Sequence, residues 1–197
     1  MKHALVIGAS MGGLLAARAL ADHFDQVTVL DRDHFPAAGE NRKGVPQGRH
    51  AHALLSTGRE LLEGFFPALT DELVAQGALL GDPTWHAQRF FGGSYHCRFR
   101  SGARSLCVSR PLLEAHVRSR LLTLPNVRII EACDVRGLLH NAERTRITGV
   151  QLVWRHAGNR EEDLTADLVV DASGRGSRSP AWLEALGYDK VSEEEIR

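Results

Sequence analysis

The sequence lacks an excess of either charge: 24 lysines and arginines meet 24 aspartates and glutamates over 197 residues. That neutrality argues against bulk attraction to nucleic acid or to an anionic membrane surface, while leaving room for a local basic site. Cysteine is scarce as well. Cys97, Cys107 and Cys133 form no CxxC pair and their number is odd, which suits reduced, buried thiols better than a disulfide framework. Long apolar runs are missing, and with them any sequence signature of a membrane-spanning helix. The opening MKHALVIGASMGGLLAARALA has the lysine and small residues of a secretory signal, but three glycines and Arg18 interrupt its apolar stretch. These absences predict a cytoplasmic protein. Neither an internal repeat nor a low-complexity tract is present, so the fold is read from local pattern.

What is present starts at the N-terminus. Residues 3–7 form a short apolar run, as in a strand covered on both faces. Residues 8–13 break it with glycines, and the alanine- and leucine-rich stretch that follows reads as a helix to residue 21. A β-branched run at 27–30 ends in Asp31. The whole is a β-turn-α-β unit of compact size. Residues 32–52, rich in glycine, proline and charge, read as a long loop. Helices are expected at 56–65, at 69–76, and from Pro111 to Leu122, where proline suits a first helical turn. Between them, weak alternation at residues 84–108 predicts inserted antiparallel strands. VRII, VRGLLH and ITGVQLVW, within 127–154, read as a β-meander. A buried strand at 168–170 then runs into DASG, followed by a short helix over 180–186.

The glycine-rich turn carries the chemistry. Gly8-Ala9-Ser10-Met11-Gly12-Gly13 matches the GxGxxG dinucleotide fingerprint, with Ser10 in place of the second glycine. Gly8 makes the tight turn, and Gly13 lets helix and strand approach. The small Ser10 keeps the backbone near a pyrophosphate. The helix starting near Met11 offers the N–H groups of its first turn, Met11 and Gly12 included, and the positive end of its dipole to an anion. Asp31, 23 positions after Gly8, is placed to accept hydrogen bonds from the adenosine ribose. Its charge disfavours a 2′-phosphate, although neighbouring Arg32 could neutralise one. The unit by itself does not separate FAD from NAD. The inserted loop, helices and strands favour FAD, because an NAD domain would continue with alternating strands and helices.

The segments GASMGGLLAARAL, VTVLDRD, RKGVPQGRHAHALL, SRPLLEAHVRSRL and DLVVDASGRGSRSPAWLEALGY run in this order across nearly the whole chain. Together they resemble the FAD-dependent monooxygenase superfamily, which includes p-hydroxybenzoate-hydroxylase-like enzymes, geranylgeranyl reductases and flavin-dependent halogenases. The resemblance implies an α/β fold: a Rossmann-type FAD/NAD(P)-binding βαβ domain with inserted antiparallel strands, in truncated form. Residues 1–82 and 110–187 would bind FAD, 83–109 would be substrate-domain strands, and 188–197 an acidic tail at the truncation point.

By position the resemblance also implies roles. Gly8, Ser10 and Gly13 would face the FAD pyrophosphate, and Asp31 the ribose. Arg110 would reach the ribityl or pyrophosphate region, and Val135 would offer its backbone to adenine. Arg42, with Gln47, His50 and His52, lies in a loop that would approach the flavin ring. His50 and His52 also form an HxH pair, but no third ligand accompanies it, so a zinc site is not expected. Ser173 and Gly174 occupy the Asp-Gly positions at which hydroxylases touch the pyrophosphate and a pyridine nucleotide. NAD(P)H is therefore a less secure expectation, as a transient reductant. The family's later Gly-Asp motif does not occur here, and the chain reads as an N-terminal half whose remainder a partner chain could carry. The function implied is flavin-dependent oxygenation of a small organic substrate with molecular oxygen. The alternatives are a flavin-dependent reductase or halogenase, or a nucleotide-binding fold without activity of its own. No side chain stands out as catalytic.

Overall fold

The computed structural model describes residues 1–37, 39–155 and 158–194. Its elements in chain order are β1 (His3–Ile7), α1 (Met11–Ala21), β2 (Gln26–Leu30), a 3-10 turn (Pro46–Arg49), β3 (Ala53–Leu54), α2 (Ser56–Phe65), α3 (Leu69–Ala75) and β4 (Leu79–Gly81). They continue with β5 (Phe90–Phe91), β6 (Ser94–Tyr95), β7 (Ser105–Cys107), α4 (Arg110–Leu121), β8 (Val127–Ile130), β9 (Cys133–His140) and β10 (Ile147–Trp154). β11 (Arg160–Thr165), β12 (Leu168–Asp171), a 3-10 turn (Gly174–Gly176) and α5 (Ser179–Ala185) complete the order. Residues 195–197 of the expected acidic tail lie outside the described residues. The chain divides into two compact units, residues 1–35 with 121–197, and residues 36–120.

The first unit is a four-stranded parallel sheet in the order β12-β1-β2-β8. β1 is buried from Ala4 to Ile7 because both its faces are covered. On one face Val6 lies beside Gly13 of α1, whose Leu14 and Ala17 are fully buried. On the other, Leu5, Ile7 and Leu30 pack with Cys133, Val150 and Leu152 of the antiparallel meander β9-β10-β11. This alternation follows from the two-residue period of a strand. The Asn126 side-chain amide donates to Ala21 O at 2.8 Å and Phe24 O at 2.9 Å, tying the exit of α1 to the start of β8. No helix among the described residues is long and apolar enough to cross a membrane.

Two expectations change. VRII is β8, a parallel neighbour of β2 and no part of the meander. The meander's third strand is instead Arg160–Thr165, a charged segment held by its register with β10.

The second unit packs α2, α3 and α4 around Leu62, Phe66, Leu69, Leu73, Leu113 and Val117, with a small antiparallel sheet β3-β7-β4. Glu63 anchors the start of α3 by accepting from Ala68 N–H at 2.6 Å and from the Thr70 N–H and hydroxyl at 3.0 and 2.6 Å. The Thr70 hydroxyl is the largest influence on this carboxyl and, with the two amides, holds it below the usual range against partial desolvation. The inserted segment is less regular than its alternation implied. It contains a two-residue-per-strand hairpin, β5-β6, and the central strand β7 of the small sheet. Phe90 and Tyr95 face each other across the hairpin, edge to face at 5.1 Å. Phe91 beside them is 79% exposed.

Candidate functional site

The turn after β1 is shaped by what its residues omit. Gly8 sits at φ +99°, a left-handed conformation that L side chains rarely adopt, and a Cβ there would meet Ala172 O at 2.7 Å. A Cβ on Gly13 would lie 1.7 Å from Gly8 O. Helix and turn therefore touch backbone to backbone, and no side chain fits between them. Gly12 differs: its Cβ position has no atom within 4 Å and opens onto free space. The first helical bond of α1 runs from Leu14 N–H to Ser10 O at 2.9 Å. The amides of Met11, Gly12 and Gly13 thus have no acceptor within the helix. Ser10 holds the N-cap position in an extended conformation without capping through its hydroxyl.

Three strand ends fix this turn. Gly8 N–H donates to Leu30 O at 2.7 Å, and Ala172 N–H donates to Ile7 O at 2.8 Å. The third tie is Asp31, only 7% exposed, whose Oδ2 accepts from Ala9 N–H at 2.7 Å and whose Oδ1 accepts from Asp33 N–H at 2.9 Å. The sequence reading placed Asp31 as a ribose acceptor. The structure adds that the same carboxylate staples the glycine turn to the end of β2. A carboxylate has about four acceptor positions, so the two roles are compatible. Arg32 beside it is exposed. Behind Asp31, Cys133 N–H donates to Asp31 O at 3.1 Å, and burial pushes the Cys133 thiol up to about 11. That thiol stays protonated and inert at neutral pH.

Val135 lies on β9, opposite Leu152, with its side chain packed against the meander core, so its backbone is what it can offer a ligand. Ser173 and Gly174 follow β12 in a loop drawn together by one carboxylate. Asp171 accepts from Ser173 N–H at 2.9 Å, from the Ser177 hydroxyl at 2.6 Å and from the hydroxyls of Ser173 and Ser179. Burial raises this carboxyl, but the three hydroxyls together outweigh it and hold it below the usual range.

The remaining candidates belong to the second unit. Arg42 and Arg110 line one pocket, together with Glu40, Asn41, Glu114 and Arg118. Arg42 Nη2 stands 3.4 Å from Glu114 Oε1, both side chains buried. Glu114 and Arg118 were not singled out from sequence; the signal was their spacing, which places Arg110, Glu114 and Arg118 on one face of α4 at successive intervals of four. Gln47 and His50 are exposed around the 3-10 turn. His52 is tied to the backbone, with Nδ1 3.0 Å from Val108 O. No cluster of three His, Cys, Asp or Glu side chains suited to a metal occurs among the described residues.

The fold has counterparts among solved structures. PqsL of P. aeruginosa, solved with 2-aminobenzoylacetate, superposes with a TM-score of 0.70 at 18% identity, over 99% of this chain and 48% of that one. The flavin-dependent monooxygenase PieE, solved with FAD and substrate, gives a TM-score of 0.69 at 19% identity over 93% of this chain and 32% of its own. The fold is that of the flavin-dependent monooxygenases. p-Nitrophenol 4-monooxygenase PnpA from Pseudomonas putida DLL-E4 shares this flavin-monooxygenase fold, with a TM-score of 0.65 at 18% identity over 93% of the chain and 44% of PnpA. No family model matches the sequence. Protein Rv3254 of Mycobacterium tuberculosis is 38% identical over 202 residues, which cover 98% of this chain. The chain spans 42% of that relative's length and about half of PqsL.

Proposed function

We propose that this chain binds FAD and forms the cofactor-holding part of a flavin-dependent monooxygenase that acts on a small organic substrate with molecular oxygen. The observation that carries the reading is the bare backbone cradle of the glycine turn. Gly8 and Gly13 bring strand and helix together, Gly12 opens onto free space, and the helix N-terminus faces that space with its dipole. A pyrophosphate suits this geometry, because it needs close backbone N–H donors and tolerates no intervening side chain. PieE, of the same fold, was solved with FAD.

In this reading FAD, when bound, supplies the redox chemistry with oxygen, and the chain's own residues bind and orient it. The amides of Met11, Gly12 and Gly13 and the turn at Ser10 hold the pyrophosphate. Asp31 accepts from the ribose while holding Ala9 in place, with Arg32 at the rim. Val135 presents its backbone to adenine, and Ser173 and Gly174 present theirs to the pyrophosphate. Arg42 and Arg110 line a pocket of the second unit, and their cofactor-binding role rests on the sequence resemblance. A reduced nicotinamide nucleotide is the transient electron donor in this scheme.

Titrating the purified chain with FAD while following flavin fluorescence tests the reading. Saturable quenching is expected, and it is lost in Gly8→Val. A wild-type chain that stays colourless and leaves flavin fluorescence unchanged overturns it.

A further inference from the structure

We infer that Glu131 is a positioning residue for the nucleotide site: it holds the loop after β2 and, through Asp33, the carboxylate of Asp31 in the orientation that receives the adenosine ribose. The inference rests on the FAD reading above and lies wholly within the first unit.

β2 and β8 are parallel neighbours with Leu30 opposite Ile130, so Asp31 and Glu131 follow side by side at the carboxyl ends of the two strands. Ligands of such sheets bind beyond those ends. Two neighbouring carboxylates are unfavourable unless donors stabilise them. Asp31 has the amides of Ala9 and Asp33, at 2.7 and 2.9 Å. Glu131 Oε2 accepts from Phe35 N–H at 3.0 Å, with His34 Nδ1 3.3 Å from the same oxygen. Glu131 thus holds the far end of the loop that begins at Asp31.

The same loop is laced to the β8–β9 connection along its length. Asp31 N–H donates to Ile130 O at 2.9 Å, Cys133 N–H to Asp31 O at 3.1 Å and Ala132 N–H to Asp33 O at 3.2 Å. The kink that allows this lacing is Ala132, buried at φ +54°, a left-handed conformation that is costly for a residue with a Cβ. Arg155 N–H donates to Ala132 O at 3.2 Å and fixes the kink from the other side. Backbone kept in such a conformation by its surroundings clusters at ligand sites, where placement matters more than local comfort.

Asp33 links the two acids. Its N–H supports Asp31 Oδ1, and its carbonyl accepts from Ala132, the residue after Glu131. Asp31, Asp33, His34 and Phe35 have further interactions besides these, so removing Glu131 loosens the loop without releasing it. The bond from Ala9 N–H to Asp31 Oδ2 stays, and the glycine turn with it. What is lost is the fixed direction of Oδ1, and with it part of the grip on a ribose hydroxyl.

The test measures FAD affinity by flavin fluorescence, and ADP and 2′-deoxy-ADP affinities by calorimetry, for the wild-type chain, Glu131→Ala and Glu131→Gln. The Glu131 side chain is 40% exposed, so its truncation opens no core cavity, and thermal unfolding checks that both variants fold. Wild type is expected to prefer ADP over 2′-deoxy-ADP. Glu131→Ala should bind ADP and FAD about fivefold more weakly, the worth of about one hydrogen bond, and 2′-deoxy-ADP as before, so that the preference for the ribose hydroxyl is largely lost. Glu131→Gln, whose amide oxygen still accepts from Phe35 N–H, should keep that preference. A merely structural role would weaken both nucleotides alike. A wild-type preference in Glu131→Ala, a Gln variant no better than Ala, or a wild-type chain that does not distinguish the two nucleotides would overturn the inference. A wild-type chain that shows the expected preference between the nucleotides but binds no FAD overturns the flavin reading and leaves the role of Glu131 standing; one that binds none of the three overturns both.

Discussion

The glycine turn and the arginine pocket are built by opposite means. Around Gly8 and Gly13 the site is made by missing side chains, so that backbone meets backbone and any added atom collides. Around Arg42 and Arg110 the pocket is made by long charged side chains, with Arg42 standing 3.4 Å from Glu114. The first kind of site is bound up with the fold, since the contacts that shape it also close strand against helix. The second kind is added to a fold that stands on Leu62, Leu73, Leu113 and Val117. Adding atoms should break the first, and subtracting charge should disable the second.

The largest effect is expected from Gly13→Val. Its Cβ falls 1.7 Å from Gly8 O, a backbone atom that cannot yield without opening the turn. Urea denaturation should show a loss of about 3 kcal/mol or more, together with loss of FAD binding. Arg110→Gln should do the reverse in kind: FAD affinity falls about tenfold, while the unfolding free energy changes by no more than about 1 kcal/mol.

Gly12→Ala separates fold from site within the turn itself. Its Cβ meets nothing within 4 Å, and alanine in a helix is favoured over glycine by about 0.5–1 kcal/mol. Thermal unfolding should therefore be unchanged or slightly improved, while FAD affinity drops because the methyl group enters the space assigned to the pyrophosphate. A variant with full affinity would place the ligand away from this helix end.

The smallest effect concerns the loop after β12. The Asp171 carboxyl is held below its ordinary range, so its bonds to Ser173, Ser177 and Ser179 stabilise the folded chain at neutral pH. That contribution is fully present above the ordinary carboxylate value of about 3.9 and is lost as pH falls through the lowered one. Asp171→Asn should unfold a few degrees earlier at pH 7, and the gap should close as the pH is taken below about 4.

Much of the first unit was legible because its signals are local. β1, the glycine turn, α1 and β2 follow one another within thirty residues, each with its own period, and helix α2 spans the very residues its pattern predicted. What escaped depends on distant partners. Arg160–Thr165 carries no apolar alternation and becomes a strand through pairing with β10. VRII looks like any short apolar strand, and only its pairing with β2 assigns it to the parallel sheet. The same holds at the site. Asp31 was found by its distance from Gly8, but its bond to Ala9 is a matter of three dimensions. Glu114 shares a helical face with Arg110 and Arg118, but its pairing with Arg42 involves a loop some seventy residues earlier in the chain.

The three thiols offer a built-in clock for the two units. Cys97 and Cys107 are exposed, in the second unit, and Cys133 is buried behind Asp31 with its thiol pushed up to about 11. Because the thiolate is the reacting form, an alkylating reagent at mildly alkaline pH should modify the first two promptly and the third only slowly. Slow appearance of the third adduct then counts each opening of the sheet beneath the glycine turn. A ligand seated on that turn would slow this count, so a mass spectrometer could register occupancy without any flavin signal.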